Sequence, residues 1–190
     1  MLDSILLQIA KTAILHEFNN SYTLDKESLF RDYPFLKKEG ATFVTIEHSH
    51  HLRGCIGSII AHRSLYDDLV QNAVSAAFHD PRFHPLNERE FPNISLEVSV
   101  LSKPEILEYD DFDDLLTKVS PDIDGLILNH NGHQGTFLPQ VWEQIKSPKE
   151  FLEHLSIKAG LTPLVYQEHP TIYRYHVDAI EKKFDDILSL

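Results

Sequence analysis

Seven residues, Ile94-Ser95-Leu96-Glu97-Val98-Ser99-Val100, alternate apolar and polar without a break. Successive side chains of a strand point to opposite faces. The run therefore reads as a strand with Ile94, Leu96, Val98 and Val100 toward a core and Ser95, Glu97 and Ser99 away from it. Strands covered on both faces are almost wholly apolar, so the sheet expected here is antiparallel with one apolar face. Residues 43–47 and 52–60 are also strand-like, and the polar turn His48-Ser49-His50-His51 joins them as a hairpin.

Helical spacing marks the rest. Ile5, Leu6, Ile9, Ala10, Ala13 and Ile14 make an amphipathic helix of residues 3–19. Ser64 and Asp67 resemble a capping box that opens a helix over 64–79, which Asp80-Pro81 stops. Residues 113–119 read as a short helix, and 125–128 and 136–138 as strands around His130-Asn131-Gly132-His133. Ser147-Pro148-Lys149-Glu150 starts a helix that runs to Ala159, with Gly160 turning the chain after it. Residues 172–177 read as a last strand. Ala179, Ile180, Phe184, Ile187 and Leu188 read as a short final helix. The expectation is α+β: a mostly antiparallel sheet with packed helices.

A chain of 190 residues, 42% hydrophobic, buries roughly 70% of its unfolded surface and needs no disulfide or metal to hold a core. The single cysteine excludes an internal disulfide and fits a reducing cytoplasm. The first residues carry no basic region before their apolar ones, and no apolar run approaches the roughly 20 residues of a membrane span. A net charge of −12 disfavours broad nucleic-acid binding.

Chemistry is densest in Leu52-Arg53-Gly54-Cys55-Ile56-Gly57. Strand alternation puts Arg53, Cys55 and Gly57 on one face, where a guanidinium beside the thiol would favour the thiolate. Gly54 and Gly57 permit close approach of a ligand or another backbone. The bland alternative is a buried cysteine filling space between glycines that allow tight packing. His79, Asp80, Arg82 and His84 crowd a loop stiffened by Pro81 and Pro85. His79 is a candidate base for Cys55, whereas an Asp80–Arg82 pair and a histidine at a helix end are the ordinary reading. Glu97 could pair with Arg53 if their strands were neighbours, the ordinary reading being a solvated strand face. The histidines of the two turns lack the spacing of known zinc patterns, so no metal is assigned. Trp142 reads as core, and Thr136 as a residue able to line a cleft. No nucleotide-binding glycine loop is present, and no cofactor is indicated.

Leu52-Arg53-Gly54-Cys55-Ile56-Gly57 resembles the hallmark of the AMMECR domain family, also called AmmeMemoRadiSam system protein A. The resemblance continues through Ala76-Ala77-Phe78-His79-Asp80-Pro81-Arg82-Phe83, Glu97-Val98-Ser99-Val100-Leu101, Gly125-Leu126-Ile127-Leu128, Thr136-Phe137-Leu138-Pro139-Gln140-Val141-Trp142 and Lys158-Ala159-Gly160-Leu161. It implies one AMMECR-type domain over residues 1–190, built of two unequal subdomains. It also implies a pathway shared with Memo-type and radical S-adenosylmethionine proteins, with no iron–sulfur cluster in this chain. The motif residues that carry over are Arg53, Gly54, Cys55, Gly57, Asp80, Arg82 and Thr136. The first reading is an enzyme of unknown reaction: Cys55, His79 and Glu97 do the chemistry, and Arg53, Gly54, Gly57, Asp80, Arg82 and Thr136 hold the substrate. The alternative is a non-catalytic module of the same system that binds a small molecule, a peptide or a protein.

Overall fold

Helix α1 (Ile5–His16) buries Ile5, Leu6, Ile9, Ala10, Ala13 and Ile14, the stripe its spacing predicts. A short α2 (Lys26–Asp32) follows, begun by the Asp25 carboxylate accepting the Ser28 N–H. Strands β1 (Ala41–His48) and β2 (His51–Gly57) form the expected hairpin. Ser49 and His50 both sit at positive φ, 51° and 65°, as a two-residue turn of this twist requires, although neither is a glycine. Helix α3 (Leu65–Phe78) begins where Ser64 Oγ accepts the Asp67 N–H at 3.1 Å. After a 3-10 turn at Glu88–Asn93, β3 (Ile94–Leu101) buries Ile94, Leu96 and Val98 as the alternation demands, but at its end Val100 is only half-buried and Ser99 is buried.

The chain continues through β4 (Glu105–Ile106), α4 (Phe112–Lys118), β5 (Gly125–His130), β6 (His133–Phe137), α5 (Pro148–Lys158), β7 (Thr171–Tyr175) and β8 (Val177–Lys183). The expected final helix does not form. Residues 179–183 belong to β8, and only Phe184–Asp186 turn, as a 3-10 helix. Helix-spaced apolar residues mislead here because Phe184 and Ile187 are buried from a turn that follows a strand.

This computed structural model describes residues 2–190. Residues up to Leu101 together with Asp178–Leu190 make one compact unit, and Ser102–Val177 a second. The first unit holds a sheet of order β2-β1-β3-β8, with β1 antiparallel to both neighbours. Its core joins α1 and α3 to Val44, Ile46, Leu96 and Val98. The second holds the sheet β4-β7-β5-β6, antiparallel throughout. Its core centres on Trp142, stacked on Phe151 with ring centroids 3.8 Å apart. The fold is α+β. Among the described residues no helix is long and apolar enough to cross a membrane.

Candidate functional site

Register places the thiol. Thr45 in β1 pairs with Cys55 of β2 on one side and Glu97 of β3 on the other, so the three side chains form a row on one face. Val44 and Ile46 point the other way, into the core. Strand β1 separates β2 from β3, so the neighbouring strands that a Glu97–Arg53 pair would require are not present. Instead Glu97 accepts a hydrogen bond from Ser99 Oγ at 3.2 Å. Thr45 Oγ1 donates to Cys55 Sγ at 3.4 Å. Burial pushes the Cys55 thiol up from its ordinary range, with Asp80 and Glu97 adding to the effect; the Thr45 bond and Arg82 oppose it without winning.

Arg53 is not the cation that acts on the thiol. The register of β1 and β2 slips between Ile46 and Glu47, which oppose Gly54 and Leu52, leaving Arg53 as the extra residue of a β-bulge. Bulges re-aim side chains. Arg53 reaches Glu90 through two bonds, Nε to Oε1 at 2.7 Å and Nη2 to Oε2 at 3.1 Å. Glu90 is fixed in turn by the N–H of Asn87, 3.0 Å from Oε2, in the capping box of the 3-10 turn. Its burial raises the carboxyl, but the Arg53 bond, the Asn87 N–H and nearby positive charge outweigh that and hold it below the usual range.

Asp80 and Arg82 pair, and together they cover the open edge of β2. The Asp80 carboxylate, 2% exposed, accepts the Cys55 N–H at 2.9 Å and Arg82 Nη2 at 2.7 Å. Arg82 Nη2 also donates to the Cys55 carbonyl at 3.2 Å. A side-chain pair thus takes the place of a neighbouring strand at the residue that carries the thiol. The Arg82 bonds hold the Asp80 carboxyl far below its ordinary range despite burial.

The loop after α3 also carries Phe83, which sequence reasoning passed over. Its ring lies under both guanidiniums, 5.9 Å from Arg53 Cζ and 5.4 Å from Arg82 Cζ. Arg53, Pro81, Arg82, Phe83 and His84 line an open groove of about 360 Å³. Glu90 was missed as well. The signal for it was faint: an acid three residues after Asn87, readable as a cap but not as a partner for an arginine 37 positions away.

Other candidates are not among the residues that line the groove. His79 ends α3, its N–H donating to the Ser75 carbonyl, and its ring makes no hydrogen bond to Cys55. A Cβ at Gly54 would stand 2.2 Å from the Ala76 carbonyl of α3, and one at Gly57 2.2 Å from the Phe43 ring. Both glycines thus admit parts of the protein itself. Thr136 lies in the second unit, bonded to the Leu126 carbonyl and the Tyr175 hydroxyl. Trp142 is fully buried, and its Nε1 donates to the Asp124 carbonyl at 2.8 Å. His130 pairs with Glu168. Among the described residues no three His, Cys, Asp or Glu side chains cluster closely enough to hold a metal.

An antiparallel sheet backed by α1 and α3, with an Arg-Gly-Cys edge strand clamped by an Asp-Pro-Arg loop, defines a class of α+β protein. The AMMECR1 family model matches residues 7–180, and the chain belongs to that family. Protein SSO0193 of Saccharolobus solfataricus is 40% identical over 180 residues, 90% of this chain and 78% of that one. A protein of Methanothermobacter thermautotrophicus is 37% identical over 176 residues, 90% of this chain and 88% of its own length. The crystal structure of an uncharacterized protein, PH0010 from Pyrococcus horikoshii, superposes with a TM-score of 0.83 at 29% identity. It covers 95% of this chain and 91% of that one.

Proposed function

We propose that this chain, one AMMECR-type domain over residues 1–190, is a non-catalytic binding module that uses the groove around Phe83. The observation that carries the reading is the commitment of Arg53 to Glu90. The nucleophile reading needs that cation at the thiol. Without it, burial keeps Cys55 protonated at neutral pH, and Cys55 fills the row between the β2 edge and Thr45. The groove meanwhile presents two braced guanidiniums and an aromatic ring. The Memo-type and radical S-adenosylmethionine proteins implied by the family resemblance are the partners we propose to try first.

The row Cys55–Thr45–Glu97 favours a second reading, an enzyme in which Cys55 and Glu97 exchange protons through Thr45. Iodoacetamide kinetics against pH separate the two. The folded protein is expected to react more slowly than its urea-denatured control throughout pH 6–9, because the folded thiol titrates higher. A folded rate above the control below pH 8 would establish the activated thiol and end the non-catalytic reading. In co-purification, Cys55→Ser is expected to retain a partner that Arg53→Ala releases.

A further inference from the structure

We propose that the Arg53–Phe83–Arg82 groove recognises a carboxylate joined to an apolar group: the C-terminal carboxylate of a peptide, or a small carboxylic acid of similar size. The inference rests on the binding-module reading and specifies its ligand. A chain of net charge −12 lines this groove with Arg53, Pro81, Arg82, Phe83 and His84, none of them acidic. Each guanidinium is braced from one edge. Arg53 gives Nε and Nη2 to Glu90, and Arg82 gives Nε and Nη2 to Asp80. Nη1 of either side chain makes no hydrogen bond among the described residues, so each arginine keeps donors for a ligand. Because the bracing has already fixed both planes, binding costs little further side-chain entropy.

The charge balance narrows the ligand. Glu90 and Asp80 are both held ionised at neutral pH, so the two pairs sum to zero before anything binds. A dianion would add two charges beside two carboxylates, whereas a monoanionic carboxylate adds one and matches the planar guanidinium fork. Phe83 and Pro81 supply the apolar wall. A groove of about 360 Å³ has room for one carboxylate and an aromatic or branched aliphatic group.

Calorimetry on the whole protein tests this with four probes: 3-phenylpropionate, a glycine-serine hexapeptide ending in phenylalanine, the same peptide amidated at its C-terminus, and inorganic phosphate. The free acids are expected to bind, and the amide at least about tenfold more weakly, as loss of a charge-assisted bond implies. Arg53→Gln and Arg82→Gln are each expected to lower the acids' affinity about tenfold, with Arg31→Gln, on α2, as the charge-matched control. Arg53→Lys, which keeps the charge but not the fork, checks any variant whose melting curve collapses; it should bind the acids more weakly than the wild type. Preference for the peptide or for phenylpropionate identifies the source, and either sustains the proposal. Equal binding of acid and amide, acid binding unchanged in both Gln variants, or no acid binding at all overturns it. Phosphate bound through Arg53 and Arg82 while the acids fail would overturn the carboxylate assignment and leave the binding-module reading in place.

Discussion

Asp80 accepts four hydrogen bonds, from the Cys55 N–H and from the N–H, Nε and Nη2 of Arg82. Asparagine keeps the shape but loses the charge, leaving Arg82 without its counterion. Asp80→Asn is expected to cost about 2 kcal/mol at pH 7 by chemical denaturation. The sign of the pH dependence follows from the depressed carboxyl. Its stabilisation is complete above the unfolded pKa of about 4 and fades as pH falls toward the lower folded value. The gap between wild type and variant should therefore close on acidification; a gap constant from pH 7 to pH 3 would refute the charge-based account. The Asp80–Arg82 pair was legible in the sequence because its members lie two residues apart. Arg53 and Glu90 are 37 apart, and the bulge that turns Arg53 aside leaves no mark in an alternation pattern that continues through it. The thiol's charged surroundings were thus half readable.

Hairpin, helix and alternating strand were legible as elements because each carries its own local chemistry: a polar turn, the Ser64 cap, period-two burial. What fills the space between elements was not. Gly54 and Gly57 look alike in sequence, yet one meets backbone and the other a side chain. The Ala76 carbonyl stands where a Gly54 Cβ would be, so α3 must move away from β2 to admit alanine. The Phe43 ring covers Gly57, with its Cγ 2.2 Å from where a Cβ would stand, so one ring must swing aside rather than a whole helix. Gly54→Ala is expected to cost at least about 3 kcal/mol or prevent folding, and Gly57→Ala about 2 kcal/mol. Urea denaturation of the two variants side by side checks the order; equal losses would mean that α3 yields as easily as a ring. The last segment shows the reverse failure, a helical spacing that belongs to β8 and the turn after it, because burial of Phe184 and Ile187 needs no helix.

At the scale of the whole molecule, two units each close a core from their own residues. Leu115, Leu126, Leu128, Trp142, Phe151 and Leu155 meet within the span Ser102–Val177. The ends of that span are tied to each other: the Ser102 N–H donates to the His176 carbonyl and the His176 N–H to Ser102 Oγ, both at 2.8 Å. The buried Asp124 carboxylate finds its partners inside it as well, the Ser120 N–H at 2.8 Å, His176 Nε2 at 3.3 Å and Arg174 Nη1 at 3.7 Å. Cutting the chain at residues 102 and 177 therefore strands no buried charge. A chain of this length buries roughly 60% of its unfolded surface, enough for marginal independent stability. The fragment 102–177 is expected to fold alone and melt cooperatively below the full chain. The sequence holds a single tryptophan, so Trp142 emission reports this core specifically. Blue-shifted emission with a near-UV circular dichroism signal from the stacked Trp142–Phe151 pair is the expected result. Water-exposed emission and a flat near-UV spectrum would show that this core closes only as part of the whole chain.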